Sequence, residues 1–370
     1  MSGLFRVVRE DDGTRARCGL LQTSHGSVET PVFMPVGTAA TVKAVPQEFL
    51  EQLGVSILLA NTYHLHLRPG VETIRNSHGL HRFMSWRRPI LTDSGGYQVF
   101  SHQALRKISE EGVEFQSHID GTYHFFSPEK SIELQQVLGA DIITVLDECI
   151  PYPVMEREAR DSMRRSMRWA RRCKNAHREN SQTLFGIVQG GVFFDLRRES
   201  LERLCEIDFP GLALGGFGVG EPRLIMYELI ERLGCLMPVN KPRYVMGVGT
   251  PLDLISCVKQ GIDMFDCVLP TRNARNGTVY TSFGKISLKN SRYRNDENPL
   301  DSECECFVCR RYSRAYLRHL YVSGEILSSL LNTYHNLYFY LDLMREIRES
   351  IALNSLEDLE KKLTEQYSAS

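Results

Sequence analysis

No run of about 18 apolar residues occurs anywhere in this 370-residue chain, so a membrane-spanning helix is not expected. The opening MSGLFRVVREDDGTRAR has no apolar core followed by a cleavage site, which argues against a secretion signal. An excess of one charge is also missing. With 44 Lys and Arg against 45 Asp and Glu the net charge is -1, so any affinity for nucleic acid must come from a local patch. Ten cysteines without a leader point to reduced thiols in the cytoplasm, serving as metal ligands, site residues or core fillers.

What is present suits a soluble globular protein: 42% hydrophobic and 24% charged residues, in a length that allows one large domain with an appendage or two medium ones. Apolar runs read as strands at 31–35, 57–61, 90–93, 141–147, 184–189, 211–215, 243–247 and 263–269. Helical patterns lie between them at 46–53, 71–78, 128–138, 157–177, 195–205, 222–233 and 251–260, several with Pro near the first turn. Eight strands alternating with helices are the signature of a (β/α)8 TIM barrel, an α/β fold. Segment 113–126 breaks the rhythm, and its alternation about Asp120-Gly121 reads as a β-hairpin insertion. The expected organisation is a catalytic barrel over 1–270, a loop and metal-binding subdomain over 271–340, and a helix and tail over 341–370.

The stretch GIDMFDCVLPTRNARNG (261–277) organises the chemistry. Asp266 interrupts a short buried apolar run, where an acid is costly unless it is paired or has chemistry to do. Thr271 to Gly277 is polar and basic and reads as a loop leaving the strand. Asp93 and Asp147 occupy equivalent strand ends, in ILTDSGGYQ and VLDEC. Two carboxylates across a reacting centre can divide into nucleophile and general acid/base, as in glycosyl transfer with retention, and the sequence alone does not rank Asp93 against Asp266. A third carboxylate, the amide of Gln189 and the backbone donors at Gly215-Gly216 suit the hydrogen-bonding edge of a purine-like ring. The blander alternatives are a helix N-cap for Asp93 and a rim salt bridge at Asp147-Glu148.

Cys304, Cys306 and Cys309 in a C-x-C-x2-C pattern, with His335 on a following helical stretch, supply four ligands for a structural zinc ion. From Val268 to Arg318 ten Lys and Arg face five Asp and Glu, an excess of +5 beside the candidate nucleophile, which suits phosphate contacts.

These segments, with FGIVQGG, LALGG, YVMGVGTP and CECFVC, resemble the bacterial tRNA-guanine transglycosylases from about Thr30 to His335. The resemblance implies a TIM barrel with a structural zinc subdomain that exchanges guanine at the wobble position of tRNAs with GUN anticodons for a 7-deazaguanine. That base is expected to be preQ1, with queuine as the alternative. It implies Asp266 as the nucleophile on ribose C1′ and Asp93 as the general acid/base. Asp147, Gln189 and the Gly216 backbone would read the base, with Tyr97 and Met246 sandwiching it. Ser94, Cys149, Tyr244 and Glu221 fall at other pocket positions, while Arg272, Asn273, Ala274 and Arg275 fall in the segment that contacts the anticodon. A homodimer is implied as well. The chain departs from the family where GGL and a small residue usually stand: it reads Gly216-Phe217-Gly218-Val219-Gly220-Glu221, with Phe217 and Gly218 lining or flanking the space for the 7-substituent. A non-catalytic RNA-binding subunit would lack one reacting acid, and a zinc-dependent barrel hydrolase would carry histidines at its strand ends; neither fits.

Overall fold

Eight short runs of apolar residues pair in parallel: β1 (Val32–Met34), β2 (Leu58–Asn61), β3 (Ile90–Asp93), β4 (Ile142–Thr144), β5 (Thr183–Val188), β6 (Gly211–Leu214), β7 (Arg243–Val245) and β8 (Met264–Asp266). The computed structural model describes residues 4–101, 106–178 and 181–367. Sequential neighbours pair from β2 to β8, and β8 pairs β1 with Phe265 opposite Phe33. The ring closes just past β1, where Leu59 N donates to Pro35 O (3.1 Å) and Gly37 N to Leu59 O (2.6 Å). Nearly every strand residue is buried because helices cover the outer face, so these strands read as continuous apolar runs rather than alternating ones. The expected (β/α)8 barrel is the observed one.

Helix starts explain part of its local order. Ser127 and Thr250 accept from the backbone N–H three residues on, with Pro128 and Pro251 at the first helical positions, and Asp253 completes a capping box with Thr250. Pro46 and Pro222, by contrast, stand one step earlier, at the caps themselves.

Several boundaries differ from the sequence reading. β8 stops at Asp266, and the segment expected as a polar loop is instead the helix Leu269–Arg275, begun by Pro270. β4 stops at Thr144, leaving Asp147 beyond the strand. The insertion has three antiparallel strands, Arg106–Ile108, Val113–Gln116 and Tyr123–Phe126, around a small core of Tyr63, Val99, Val113, Phe115, Phe126 and Leu134. An N-terminal antiparallel sheet (Phe5–Glu10, Arg17–Thr23, Gly26–Thr30) covers the barrel floor. Its Arg17 forks onto the fully buried Asp263 (2.9 and 2.7 Å), and its His25 meets Asp141 (2.8 Å), whose other oxygen faces His81 (3.2 Å).

After β8 the chain builds a second apolar cluster (Val279, Ile286, Leu300, Val308, Leu317, Leu331) and then returns to the barrel through the 28-residue helix Ile326–Leu353. That helix is tied to the barrel by Tyr340 Oη donating to Gly249 O and Arg348 Nη1 to Pro31 O. The segment expected as helix and tail contains the helix Leu356–Tyr367, whose Leu356, Leu359, Leu363 and Tyr367 are buried in the main core.

Candidate active site and metal centre

The carboxyl ends of β2, β3 and β8 deliver Asn61, Asp93 and Asp266, and the residues just past β5, β6 and β7 are Gln189, Gly215 and Met246. This is the face on which barrel enzymes carry their chemistry.

Asp93 is buried and saturated. Its Oδ1 accepts from Thr62 N (2.9 Å) and Gly95 N (3.2 Å), and its Oδ2 from Asn61 Nδ2 (2.6 Å) and Gln98 Nε2 (2.7 Å). Burial nevertheless outweighs those four bonds and raises its pKa above the usual carboxylate value. The capping alternative accounts for only one of these four contacts. Asp266 is less enclosed: Tyr244 Oη (2.5 Å) and Gly247 N (2.8 Å) both donate to Oδ1, leaving Oδ2 without a partner among the described residues. Its pKa is raised by burial and by the charge of Asp93.

Asp147 accepts from Gln189 Nε2 (2.6 Å) and, at 3.4 Å, from Ser94 Oγ. Burial lifts it to about 6, with the Asp93 charge adding to the rise. The rim salt bridge belongs to its neighbour instead: Glu148 pairs with Arg165. Gln189 Oε1 is buried without a partner among the described residues, so the amide presents an unused acceptor beside Gly216. A Cβ on Gly216 would stand 2.6 Å from that oxygen, and its φ of +66° is one that glycine accepts most readily. Tyr97 is 54% exposed, Cys149 is buried and Met246 half-buried.

Phe217 does not line open space. Its buried ring lies on Arg197, with the guanidinium carbon 3.9 Å from the ring centroid. Glu221 accepts from Gly218 N (2.6 Å) and Val219 N (3.0 Å), bracing the same turn. In the Leu269–Arg275 helix Arg272 is exposed, Arg275 donates to Thr271 O (2.8 Å), Asn273 donates to Tyr280 Oη (2.8 Å) and Ala274 is wholly buried. Of the four residues expected to meet RNA, Ala274 therefore has no surface to offer, because it faces the helix Ile326–Leu353, whose Asn332 reaches its carbonyl.

Cys304, Cys306, Cys309 and His335 come together in a cluster that could hold a metal ion. The three Sγ atoms lie 3.8, 3.5 and 3.4 Å from His335 Nδ1. His335 Nε2 faces Tyr280 O at 2.7 Å, a contact that assigns its proton to Nε2 and frees Nδ1 as a ligand.

A model of the family described as "Queuine tRNA-ribosyltransferase" matches residues 11 to 369. Relatives named queuine tRNA-ribosyltransferase include one from Thermoanaerobacter sp. (strain X514), 55% identical over 98% of this chain and 97% of its own. Another, from Koribacter versatilis, is 58% identical over 95% of each chain. The chain belongs to the queuine tRNA-ribosyltransferase family. As a tRNA-guanine transglycosylase of that family, it places Asp93, Asp147 and Asp266 together at one barrel mouth, close enough for Asp93 to raise the pKa of the other two.

Sequence reading missed four polar residues of this site: Asn61, Thr62 and Gln98 around Asp93, and the buried Arg197. Asn61-Thr62 follows the apolar LLA run, the same strand-end signal that marked the acids. Arg197 stands in the charged run DLRRES and carries no such mark. No helix among the described residues is long and apolar enough to cross a membrane.

Proposed function

We propose that this protein replaces guanine at the wobble position of GUN-anticodon tRNAs with a 7-deazaguanine through a ribose ester on Asp266. The observation that supports it most directly is the asymmetry of the two acids. Asp266 keeps an oxygen without a partner among the described residues, while both oxygens of Asp93 are held by donors. Oδ2 of Asp266 attacks C1′, the C1′–N9 bond breaks, and its electron pair leaves on guanine, which takes a proton from Asp93. The carboxylate of Asp93 then takes the N9 proton of the incoming base, whose N9 displaces Asp266 from C1′. One glycosidic bond replaces another, so no energy source is consumed. The target nucleotide must leave its stack to be reached, as single-stranded anticodon loops permit.

In this reading Asp147 and Gln189 take the amino and N–H edge of the base, the Gly216 backbone its carbonyl, and Tyr97 and Met246 its faces. Asp147 must be ionised to accept, so the KM for free base should rise as pH falls through about 6. The sign follows from a raised acid that is neutral below that value. A base KM that stays flat between pH 5 and 8 would remove Asp147 from this role.

For the 7-substituent, Val219 matches the bacterial, preQ1-using pattern that the resemblance implies, which supports preQ1. Among the described residues the side of Gly218 meets Gly247 O alone, at 3.7 Å, an open flank that keeps queuine as the alternative. Competition of the two bases for displacement of labelled guanine decides between them, and equal or better use of queuine would overturn preQ1.

Arg272, exposed on the helix after β8, would contact the anticodon backbone. Arg272→Ala should weaken RNA binding uniformly and flatten its log–log salt slope by about 1, whereas Arg275, tied to its own helix, should matter less. An unchanged slope would place the RNA elsewhere. We further propose that the metal is a structural zinc. Bonds of about 2.3 Å to sulfur and about 2.1 Å to nitrogen put tetrahedral S···N edges near about 3.6 Å, and the observed 3.4 to 3.8 Å brackets that value. The ion holds its segment together and takes no part in the exchange. The working form is proposed to be a cytoplasmic homodimer, which sedimentation with and without RNA would check.

A further inference from the structure

Arg197 is a buried cation with no carboxylate at ion-pair distance among the described residues. It is 0% exposed, and its donors go to carbonyls: Nε to Gly191 O (2.6 Å), Nη1 to Gly215 O (2.9 Å) and Nη2 to Gly216 O (3.2 Å). The carboxylate of Glu221 is near enough to act on its charge but forms no ion pair with it among the described residues. That carboxylate is taken by Gly218 N and Val219 N. Burying a guanidinium without a counter-ion is costly, so the arrangement calls for a reason beyond packing.

The reason lies in the turn it holds. A trans peptide is planar, with its C=O and N–H on opposite sides. Fixing the Gly215 carbonyl on Arg197 therefore aims the Gly216 N–H away from it, and fixing the Gly216 carbonyl does the same for the Phe217 N–H. The Phe217 ring, stacked on the same guanidinium, closes the clamp from the third side. Glu221 holds the next two N–H groups, so the whole segment from Gly215 to Val219 is pinned between one buried cation and one carboxylate. Gly215 and Gly216 also back directly onto the reading groups. A Cβ on Gly215 would lie 2.7 Å from Gln189 Nε2 and 3.5 Å from Asp147 Oδ2.

We propose that Arg197 is a positioning residue for base exchange: by holding the Gly215 and Gly216 carbonyls it fixes the Gly216 and Phe217 N–H groups as paired donors to the 6-carbonyl oxygen of the guanine-like ring. This rests on the reading under Proposed function. When the C1′–N9 bond breaks, charge spreads onto that oxygen until the base is protonated. Two donors aimed at it, with a cation behind their peptides, stabilise it in place. Arg197 itself touches neither base nor ribose.

The test compares wild type with Arg197→Met, Arg197→Lys and Phe217→Leu. It measures the KM for free guanine, the KM for an anticodon hairpin, and the preference for guanine over 2-aminopurine, which lacks the 6-oxo group. Arg197→Met should raise the guanine KM by about tenfold or more, the loss of one well-placed hydrogen bond to a charge-bearing oxygen. Its hairpin KM, set mainly by phosphate contacts, should stay within about twofold while the exchange rate falls, because the departing guanine uses the same donors. The 6-oxo preference should shrink by the same factor as the guanine KM rises. Arg197→Lys, which reaches fewer carbonyls, should fall between. Phe217→Leu keeps the three hydrogen bonds and should shift the guanine KM by only about threefold, so it tests the clamp even where the Met variant folds poorly. Unchanged 6-oxo preference in the folded variants, or base and hairpin KM values rising together, would overturn the proposal. Wild-type protein that exchanges no guanine at all would instead sink the functional reading, so the two failures are distinguishable.

Discussion

Asp266→Asn should lower guanine exchange by at least about 10^4-fold, as loss of a covalent nucleophile does elsewhere, while tRNA binding stays close to wild type. The amide is nearly isosteric and can still accept from Tyr244 Oη and Gly247 N, so the strand end should keep its place. What it loses is the charge on the one oxygen that no group among the described residues occupies. Denaturing gel electrophoresis of protein mixed with an anticodon hairpin reads this directly, because wild type should retain RNA through the ribose ester and the variant should not. A persistent adduct in Asp266→Asn would transfer the nucleophile role to Asp93. Asp93→Asn should behave differently. It should slow both the departure of guanine and the entry of the new base, because a single proton carrier serves both.

Cys306→Ser should release the metal and lower the melting temperature by about 10 °C or more, since the binding energy of a structural ion is folding energy. Cys306 is 1% exposed and also accepts from Cys309 N at the start of a short helix, so its loss frees both a ligand and a cap. The consequence should reach the helix proposed to contact RNA. Tyr280 gives its carbonyl to His335 and its hydroxyl to Asn273, and its N–H is held by Asn336, which in turn reaches Pro270 O. One strand residue thus connects the candidate metal cluster to both ends of the helix that follows Asp266. Metal-free protein should therefore lose RNA affinity before it loses the barrel. Metal analysis with a binding assay checks this, and a metal-free variant with unchanged melting and activity would count against it.

The barrel was legible because its strands are buried on both faces and so stand out as uninterrupted apolar runs. The acids were legible because each ends or follows such a run. The Cys3His cluster that could hold a metal ion was legible from spacing alone. Three things were not. Leu269–Arg275 looked like a loop because its residues are basic and polar, yet Pro270 starts it and Ala274 and Asn336 anchor it through contacts more than fifty residues apart in sequence. The N-terminal sheet was missed because it is largely exposed on one face and pins the floor through Arg17, a residue with no local pattern. Arg197 was missed because a buried arginine in a charged helix looks like a solvated one until the fold turns it inward.

The three acids at the mouth are all held above the ordinary carboxylate range, whereas Asp141 on the opposite floor, bound to Ile90 N, His25 and His81, is drawn down to about 2. Asp93, Asp147 and Asp266 thus cost stability at neutral pH, whereas Asp141 contributes it. A collection of variants screened for heat resistance alone at neutral pH would drift toward neutral replacements at the mouth and leave Asp141 untouched. The most durable survivors would be the ones least able to act.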